Sequence, residues 1–404
     1  MVMNIKVGEA DASVYVGENK IEKMYIGDTV VLGQEDIYDV YSVDTTGNYE
    51  LLIENCGAPN FEYRTNAMNC VSPILGGKLY YYTGTTNSNA NVLVQIGLDT
   101  DWIGGNFRSS NTTGYGLKKN GKVYYIAQTD STNYASYHVA AVPSVSSVTF
   151  KKLYGVTYSL TTNGQCMMLS DAGDIYTGGY SITTTAPTVT KYTYISGVSD
   201  LYGDYRSGYY CNTVLKEGKL YTCKGSSVKT LTGQDSLTFT SVSSDYSDTS
   251  GYYTPHMAVD ASGNKRIAMC SSSGELTTVT TSFVPKQVCG RFQAKYNYKA
   301  YAVSEDGYMY YATAYNTFAK VPNIEGVTRL NGTQGSYTQT ELGIADDSLF
   351  LFKYNTGTSV VDITKVDTSS LGVVVGVYGY CYENTNTGSM TKGIFVVKRK
   401  IASV

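Results

Sequence analysis

Two acidic residues flank a single threonine beside the only tryptophan of the chain, giving Asp99, Asp101 and Trp102 in the stretch LDTDWIGG. In an extended segment, alternation would send Asp99 and Asp101 to the same side. Glycoside hydrolysis needs two carboxyl groups about 5–9 Å apart across a sugar ring, and an aromatic neighbour can hold that ring. The same residues also suit a solvated turn, so the stretch stands as a candidate ligand-contact loop. A glycan-active hydrolase is the alternative to a non-enzymatic binding role.

Other reactive types give less. Neither His138 nor His256 sits in an H-E-x-x-H, C-x-x-C or G-x-S-x-G context, so both read as structural. The eight cysteines, at 56, 70, 166, 211, 223, 270, 289 and 381, are scattered through mostly apolar contexts and predict buried free thiols. The glycines fall at strand turns, with no phosphate-binding spacing. Ser42-x-Asp44-x-x-Gly47 and Ser304-x-Asp306-Gly307 approach the Asp-box turn of sialidases but with the wrong spacing, and read as hairpin turns. The sequence thus predicts no catalytic residue, no metal and no cofactor.

The elements that carry these residues are strands. Charged residues make up 16% of the 404, and 40 Tyr and 41 Gly stand beside abundant Ser and Thr. Aromatic side chains suit a pleated surface and Gly supplies positive φ at turns. Thirty-one Lys and Arg against 34 Asp and Glu, with no long run of either sign, argue against nucleic-acid binding. No run approaches about 18 apolar residues and the N-terminus has no signal-like core, which predicts a soluble protein made in a cytoplasm without membrane insertion.

Gln165 to Gly179, QCMMLSDAGDIYTGG, reads as one tight hairpin, turning at Ser170-Asp171-Ala172-Gly173. Variants of it recur along the chain. The first apolar residues after successive turns are Leu79, Val123, Ile175, Leu220, Ile267, Met309, Leu349 and Ile394, spaced 40 to 52 residues apart. A period of this length, carried by strands alone, predicts an all-β fold, a β-propeller over residues 37–404. Seven blades are preferred, with eight or six as alternatives, and the Tyr38 to Cys56 hairpin could join Gly393 to Lys398 to close the ring. Paired tyrosines such as Tyr124-Tyr125, Tyr252-Tyr253 and Tyr310-Tyr311 put one ring on each sheet face, for packing between blades or for contact with proteins and sugars.

Residues 1–36 form a separate β-hairpin module. Val14-Tyr15-Val16-Gly17 is echoed by Met24-Tyr25-Ile26-Gly27, each an apolar-Tyr-apolar strand before a Gly-acidic turn. A module of this size scarcely buries a core by itself, so it should dock on something.

Two resemblances add to this reading. IEKMYIGDTVVLG, residues 21–33, resembles a lead segment near the N-terminus of many phage tail and other virion structural proteins, Lys-x-Tyr-apolar-Gly-Asp/Asn-Thr-x-Val, with Met24 between Lys23 and Tyr25. It implies a virion component made in the host cytoplasm, docked on other virion proteins through Tyr15, Gly17, Tyr25, Ile26 and Gly27. The propeller would then face a host-surface glycan or protein, as in tail-fibre attachment, with the oligomeric state left open. The hairpins resemble the RCC1-like propeller family in their apolar-x-x-Asp/Asn-Gly-x-apolar-Tyr pattern and in the lead-in Val321-Pro322 to Leu330, but lack that family's Ser-Trp-Gly and regular His. That resemblance implies the fold and, as a further alternative, a cellular protein-interaction platform.

Overall fold

The computed structural model describes residues 5–399 apart from 7–12, 17–18, 22–23, 27–28, 33–35, 60–73, 83–92, 100–101, 107–112, 118–119, 129–136, 155–163, 180–185, 204, 207–209, 211, 245, 247–249, 332–337 and 385–388. Its backbone separates into two compact units, Met1–Ile37 and Tyr38–Val404. In the first, Ile5–Lys6, Ser13–Val16 and Asn19–Ile21 form one antiparallel sheet, and Met24–Ile26 pairs with Thr29–Leu32. Both copies of the Tyr-centred repeat are therefore strands, Val16 pairing with Asn19 and Ile26 with Thr29.

The second unit is a β-propeller. Its strands fall into successive antiparallel groups, each running inner to outer before the chain passes to the next. Blade 1 contains Ile74–Leu75, Lys78–Tyr82 and Leu93–Asp99; blade 2 contains Trp102–Asn106, Thr113–Leu117, Val123–Gln128 and Tyr137–Ala141. Blade 3 is Phe150–Tyr154, Gly164–Ser170, Ile175–Gly179 and Val189–Tyr192, and blade 4 is Asp200–Gly203, Asn212–Lys216, Lys219–Lys224 and Ser227–Thr230. Blade 5 (Leu237–Thr238, Tyr253–Asp260, Lys265–Ser271, Leu276–Val279) and blade 6 (Pro285–Gln293, Tyr298–Ser304, Met309–Ala314, Thr317–Lys320) share one curled sheet, joined by the pair Tyr253 and Phe292. Blade 7 is Val327–Asn331, Thr340–Ala345, Ser348–Asn355 and Val360–Lys365.

The closing blade takes two strands from each end of this unit, in the order Val373–Tyr378, Gly393–Lys398, Tyr38–Val43 and Tyr49–Cys56. Gly393 pairs with Val43 and Lys398 with Tyr38, the closure expected from the sequence. Ring closure pairs the two ends of the unit and leaves only short outer strand edges. Among the described residues these strands form seven hydrogen-bonded sheets, the eight-stranded one holding blades 5 and 6. Ile394 belongs to the second strand of the closing blade, and the hairpin before it, Tyr380–Asn384 with Ser389–Thr391, is an insertion that pairs with blade 7 through Thr340 and Cys381.

The turns explain why the repeat was readable. Ser170 accepts a bond from the Gly173 N–H at its carbonyl (3.0 Å) and one from the Asp174 N–H at Oγ (3.0 Å). Asp44, Asp260, Ser271 and Ser304 make the same two bonds to residues three and four further on. The glycine of each turn takes positive φ, +80° at Gly173 and +81° at Gly307, which a side chain would strain. This bonding accounts for Asp44 and Ser304 as turn formers. At Asp260 the Asn264 backbone N–H leads the interactions that hold the carboxyl at about 2.

The second-to-third-strand turns also clasp the ring. The carbonyls of Gly121, Gly173, Gly218, Gly307 and Asp347 accept bonds from the backbone N–H groups of Phe150, Val198, Phe239, Val327 and Val374, each at the start of the next blade, at 2.8–3.0 Å. This edge is tight in the five blades that make these bonds. The first-to-second and third-to-fourth connections lie at the opposite edge, as at Ala294–Tyr296 and between Ala314 and Thr317 of blade 6.

Packing between blades accounts for many of the buried tyrosines. Tyr115 and Tyr125 are fully buried, and clusters of buried side chains bridge blades 2 and 3, 3 to 5, 5 and 6, 6 and 7, blade 7 and the closing blade, and the closing blade and blade 1. The second strands are covered on both sides, so all six residues of Thr340–Ala345 are buried. Tyr hydroxyls reach carbonyls on the following blade: Tyr115 to Gly179 (2.7 Å), Tyr192 to Ser227 (3.0 Å) and Tyr311 to Ser359 (3.0 Å). A buried ring thus fills the seam while its polar tip is satisfied, which phenylalanine could not do. Half-buried Lys152 of blade 3 and Asp200 of blade 4 form an ion pair at 2.5 Å, and Gln287 of blade 6 bonds both backbone groups of Leu330 in blade 7.

Candidate interaction surface

The open edge of blades 5 and 6 carries an aromatic and cationic cluster. The connection between the first two strands of blade 6 is shortened to a single 3-10 turn, Ala294–Tyr296, ended by Asn297 in the left-handed conformation. This turn lifts Lys295 and Tyr296 to the surface, with Tyr296 49% exposed. Immediately before it the half-buried Arg291 packs beside two rings that touch each other, its guanidinium carbon 4.8 Å from the centre of Tyr252 and 5.6 Å from that of Tyr298. The two rings are 5.9 Å apart and tilted by 50°. Tyr298 in turn meets Tyr296 edge-on at 6.5 Å, and the Lys295 ammonium sits 5.1 Å over Tyr296. Beside them Tyr253 stacks on Tyr315, 40% exposed, at 5.0 Å.

These rings arrive from three connections. Tyr252 and Tyr253 enter blade 5, Arg291 to Tyr298 turn within blade 6, and Tyr315 sits between its last two strands. The backbone pair of Tyr253 with Phe292 ties blade 5 to blade 6 at this point. Arg291 and Lys295 make no ion pair among the described residues. Below them Gln293, 4% exposed, donates from Nε2 to the Ser250 carbonyl at 3.1 Å, while its Oε1 is buried without a partner. A cation packed against a tyrosine pair, bordered by exposed rings, suits an anionic group carried on a body with C–H faces.

A second tyrosine–lysine group, at blades 4 and 5, is interior. Tyr246 is 1% exposed with its hydroxyl on the Ser272 carbonyl, and Lys229 lies 5.6 Å over its ring and donates to Ser273. That group holds blades together.

The residues singled out in the sequence are dispersed. Asp99 ends the outer strand of blade 1, paired with Lys78, and Trp102 begins the first strand of blade 2, paired with Leu117. Asp101 lies outside the described residues. Asp99 thus closes blade 1 and Trp102 opens blade 2. In the N-terminal unit Tyr15 pairs with Lys20, Tyr25 with Val30 and Ile26 with Thr29, while Gly17 and Gly27 lie outside the described residues.

His138 is exposed on the outer strand of blade 2. His256 is fully buried in blade 5, where loss of hydration pushes its imidazole down to about 3. The cysteines at 56, 166, 223, 270, 289 and 381 are free and buried, and burial pushes the thiols of Cys56, Cys223, Cys270 and Cys381 up to about 12. Among the described residues no three His, Cys, Asp or Glu side chains gather as a metal site. No helix among them is long and apolar enough to cross a membrane.

The sequence reading missed Arg291, Tyr296 and Tyr315. One signal was available: residues 276–304 hold Lys286, Arg291, Lys295 and Lys299 and no acidic residue.

The fold and this surface define a β-propeller with one elaborated edge. No family model matches the chain, and no curated protein matches it. Among solved structures it is similar to apo AztD from Citrobacter koseri, with TM-score 0.45 and 9% identity over 82% of this chain and 96% of that one. It is also similar to YCF48 from Cyanidioschyzon merolae, with TM-score 0.39 and 10% identity over 71% and 91% of the two chains. Selenomethionine-substituted virginiamycin B lyase from Staphylococcus aureus gives TM-score 0.40 and 11% identity over 76% and 96%. Likenesses of this size carry no functional argument, and the architecture rests on the strand pairing and closure described above.

Proposed function

We propose that this chain is a non-enzymatic component of a bacteriophage particle. Its N-terminal unit docks on other virion proteins, and its propeller presents the open edge for adsorption to a host surface or for contacts within the particle. The observation that carries the reading is the division of the chain. A unit ending at Ile37, too small for a core of its own, holds the Lys23-Met24-Tyr25-Ile26-Gly27-Asp28-Thr29 segment that resembles virion proteins, ahead of a ring closed upon itself. The tyrosines and cations of blades 5 and 6 are the part of that ring best suited to a partner. Quantitative mass spectrometry of purified particles is expected to find the protein at a constant ratio to the main structural protein. Its absence from particles that infect normally would contradict the proposal.

A further inference from the structure

We infer that Tyr252, Arg291, Gln293, Lys295, Tyr296 and Tyr298 form a binding site for a carboxylated sugar. The inference deepens the reading of the open edge as a binding surface and rests on it.

Three observations define the ligand. Arg291 packs beside two tyrosine rings and Lys295 lies over Tyr296, yet neither meets a carboxylate among the described residues. Asp245 and Asp248, the acids nearest in the connection leading to Tyr252, lie outside those residues. Ordering a guanidinium this way costs side-chain freedom in advance, so a planar anion can be taken bidentately at low further cost. Next, Tyr296 is half exposed at the rim and faces the same group, offering a ring surface on which the C–H face of a sugar can stack. Third, the Gln293 Oε1 is a buried acceptor without a donor, a need that a hydroxyl group meets.

An acidic peptide would supply the anion but would also need partners for its backbone. At Phe292 the first strand of blade 6 meets Tyr253 on the side away from Tyr298–Ser304, so a peptide backbone cannot pair there. The groups available recognise a carboxylate, a C–H face and a hydroxyl, the combination that a uronic or sialic acid presents.

The test is isothermal titration of the full chain with trigalacturonate and with an α2,8-linked sialic acid dimer, beside methyl-esterified trigalacturonate and hexaglutamate. Saturable binding of at least one acidic sugar is expected. The neutral ester of a binding sugar and the variants R291Q and Y296A should each weaken binding about tenfold or more, the loss expected for one charge-assisted contact or one stacking ring. Tyr49→Ala, which alters an exposed tyrosine on the outer strand of the closing blade, should leave binding unchanged. Binding of neither acidic sugar, tighter binding of hexaglutamate, or indifference to R291Q and Y296A in folded protein would each overturn the inference. Mass spectrometry of the recovered sugar separates this from the broader reading, because cleavage would leave the ligand class standing and overturn the non-enzymatic role.

Discussion

Replacing Phe395 with alanine is expected to lower the free energy of unfolding by about 3–5 kcal/mol, the usual cost of emptying a large aromatic site in a core. Phe395 is fully buried on the C-terminal strand that enters the closing blade. It pairs with Val377 on one side and with Tyr41 on the other, stacking on the Tyr41 ring at 5.2 Å and meeting Tyr49 edge-on at 5.8 Å. The cavity would open where the two ends of the ring meet, against Leu342 and Leu351 of blade 7. Leu51→Ala is the matched control, because Leu51 is 42% exposed on the outermost strand of the same blade and should change stability by no more than about 0.5 kcal/mol. Urea unfolding of both variants at pH 7 measures the difference. Equal losses would mean that the C-terminal strand does not seal the ring.

The second large effect is one of pH. His256 is buried as a neutral ring, with Nδ1 unpartnered, Nε2 3.4 Å from the Thr254 hydroxyl, and Phe239 edge-on at 6.4 Å. Its value in the fold, about 3, lies below the ordinary 6.5, and burial is the cause. As pH falls below 6.5 the unfolded chain therefore takes up a proton that the folded chain refuses. Stability from this residue is complete above 6.5 and is lost progressively down to about 3. Between pH 7 and pH 5 the loss should be about 2 kcal/mol, and His256→Gln should remove that part of the pH dependence. Urea midpoints of the two proteins at both pH values decide the matter. Parallel shifts would show that His256 takes its proton inside the fold.

The turn chemistry made the fold legible. Ser170 with Gly173 and Ser304 with Gly307 form their bonds within five residues, so their identity alone announces a hairpin, and the spacing of such hairpins announces a ring. Gly393 to Lys398 could be matched to the Tyr38 to Cys56 hairpin because a ring is commonly closed by one blade made from both ends of its chain. The first strands of the blades were hidden. Asp200–Gly203 and Leu237–Thr238 are short, carry no turn signal and pair only at long range. The insertion around Asn384 has the local chemistry of the repeat, and only its pairing with blade 7 separates it from the others.

The candidate surface was less legible still. Tyr124 and Tyr125 are both buried whereas Tyr252 and Tyr253 are both half-buried, although each pair reads as one ring per sheet face. What distinguishes them is the neighbouring blade, which no local pattern records. Asp99 and Trp102 drew attention through residue type, yet they end one blade and begin the next. Arg291 gained its setting from Tyr252, a residue on another blade.

The central claim is that the two units divide the work, the first docking on a particle and the ring presenting its open edge. The most direct measurement supplies either the full chain or residues 37–404 to infected cells that lack the protein, then quantifies both forms in purified particles. The account predicts that the full chain is incorporated, while the shorter chain melts at the same temperature as the propeller of the full chain and is missing from particles. Incorporation of the shorter chain at the same ratio, or exclusion of both, would contradict it.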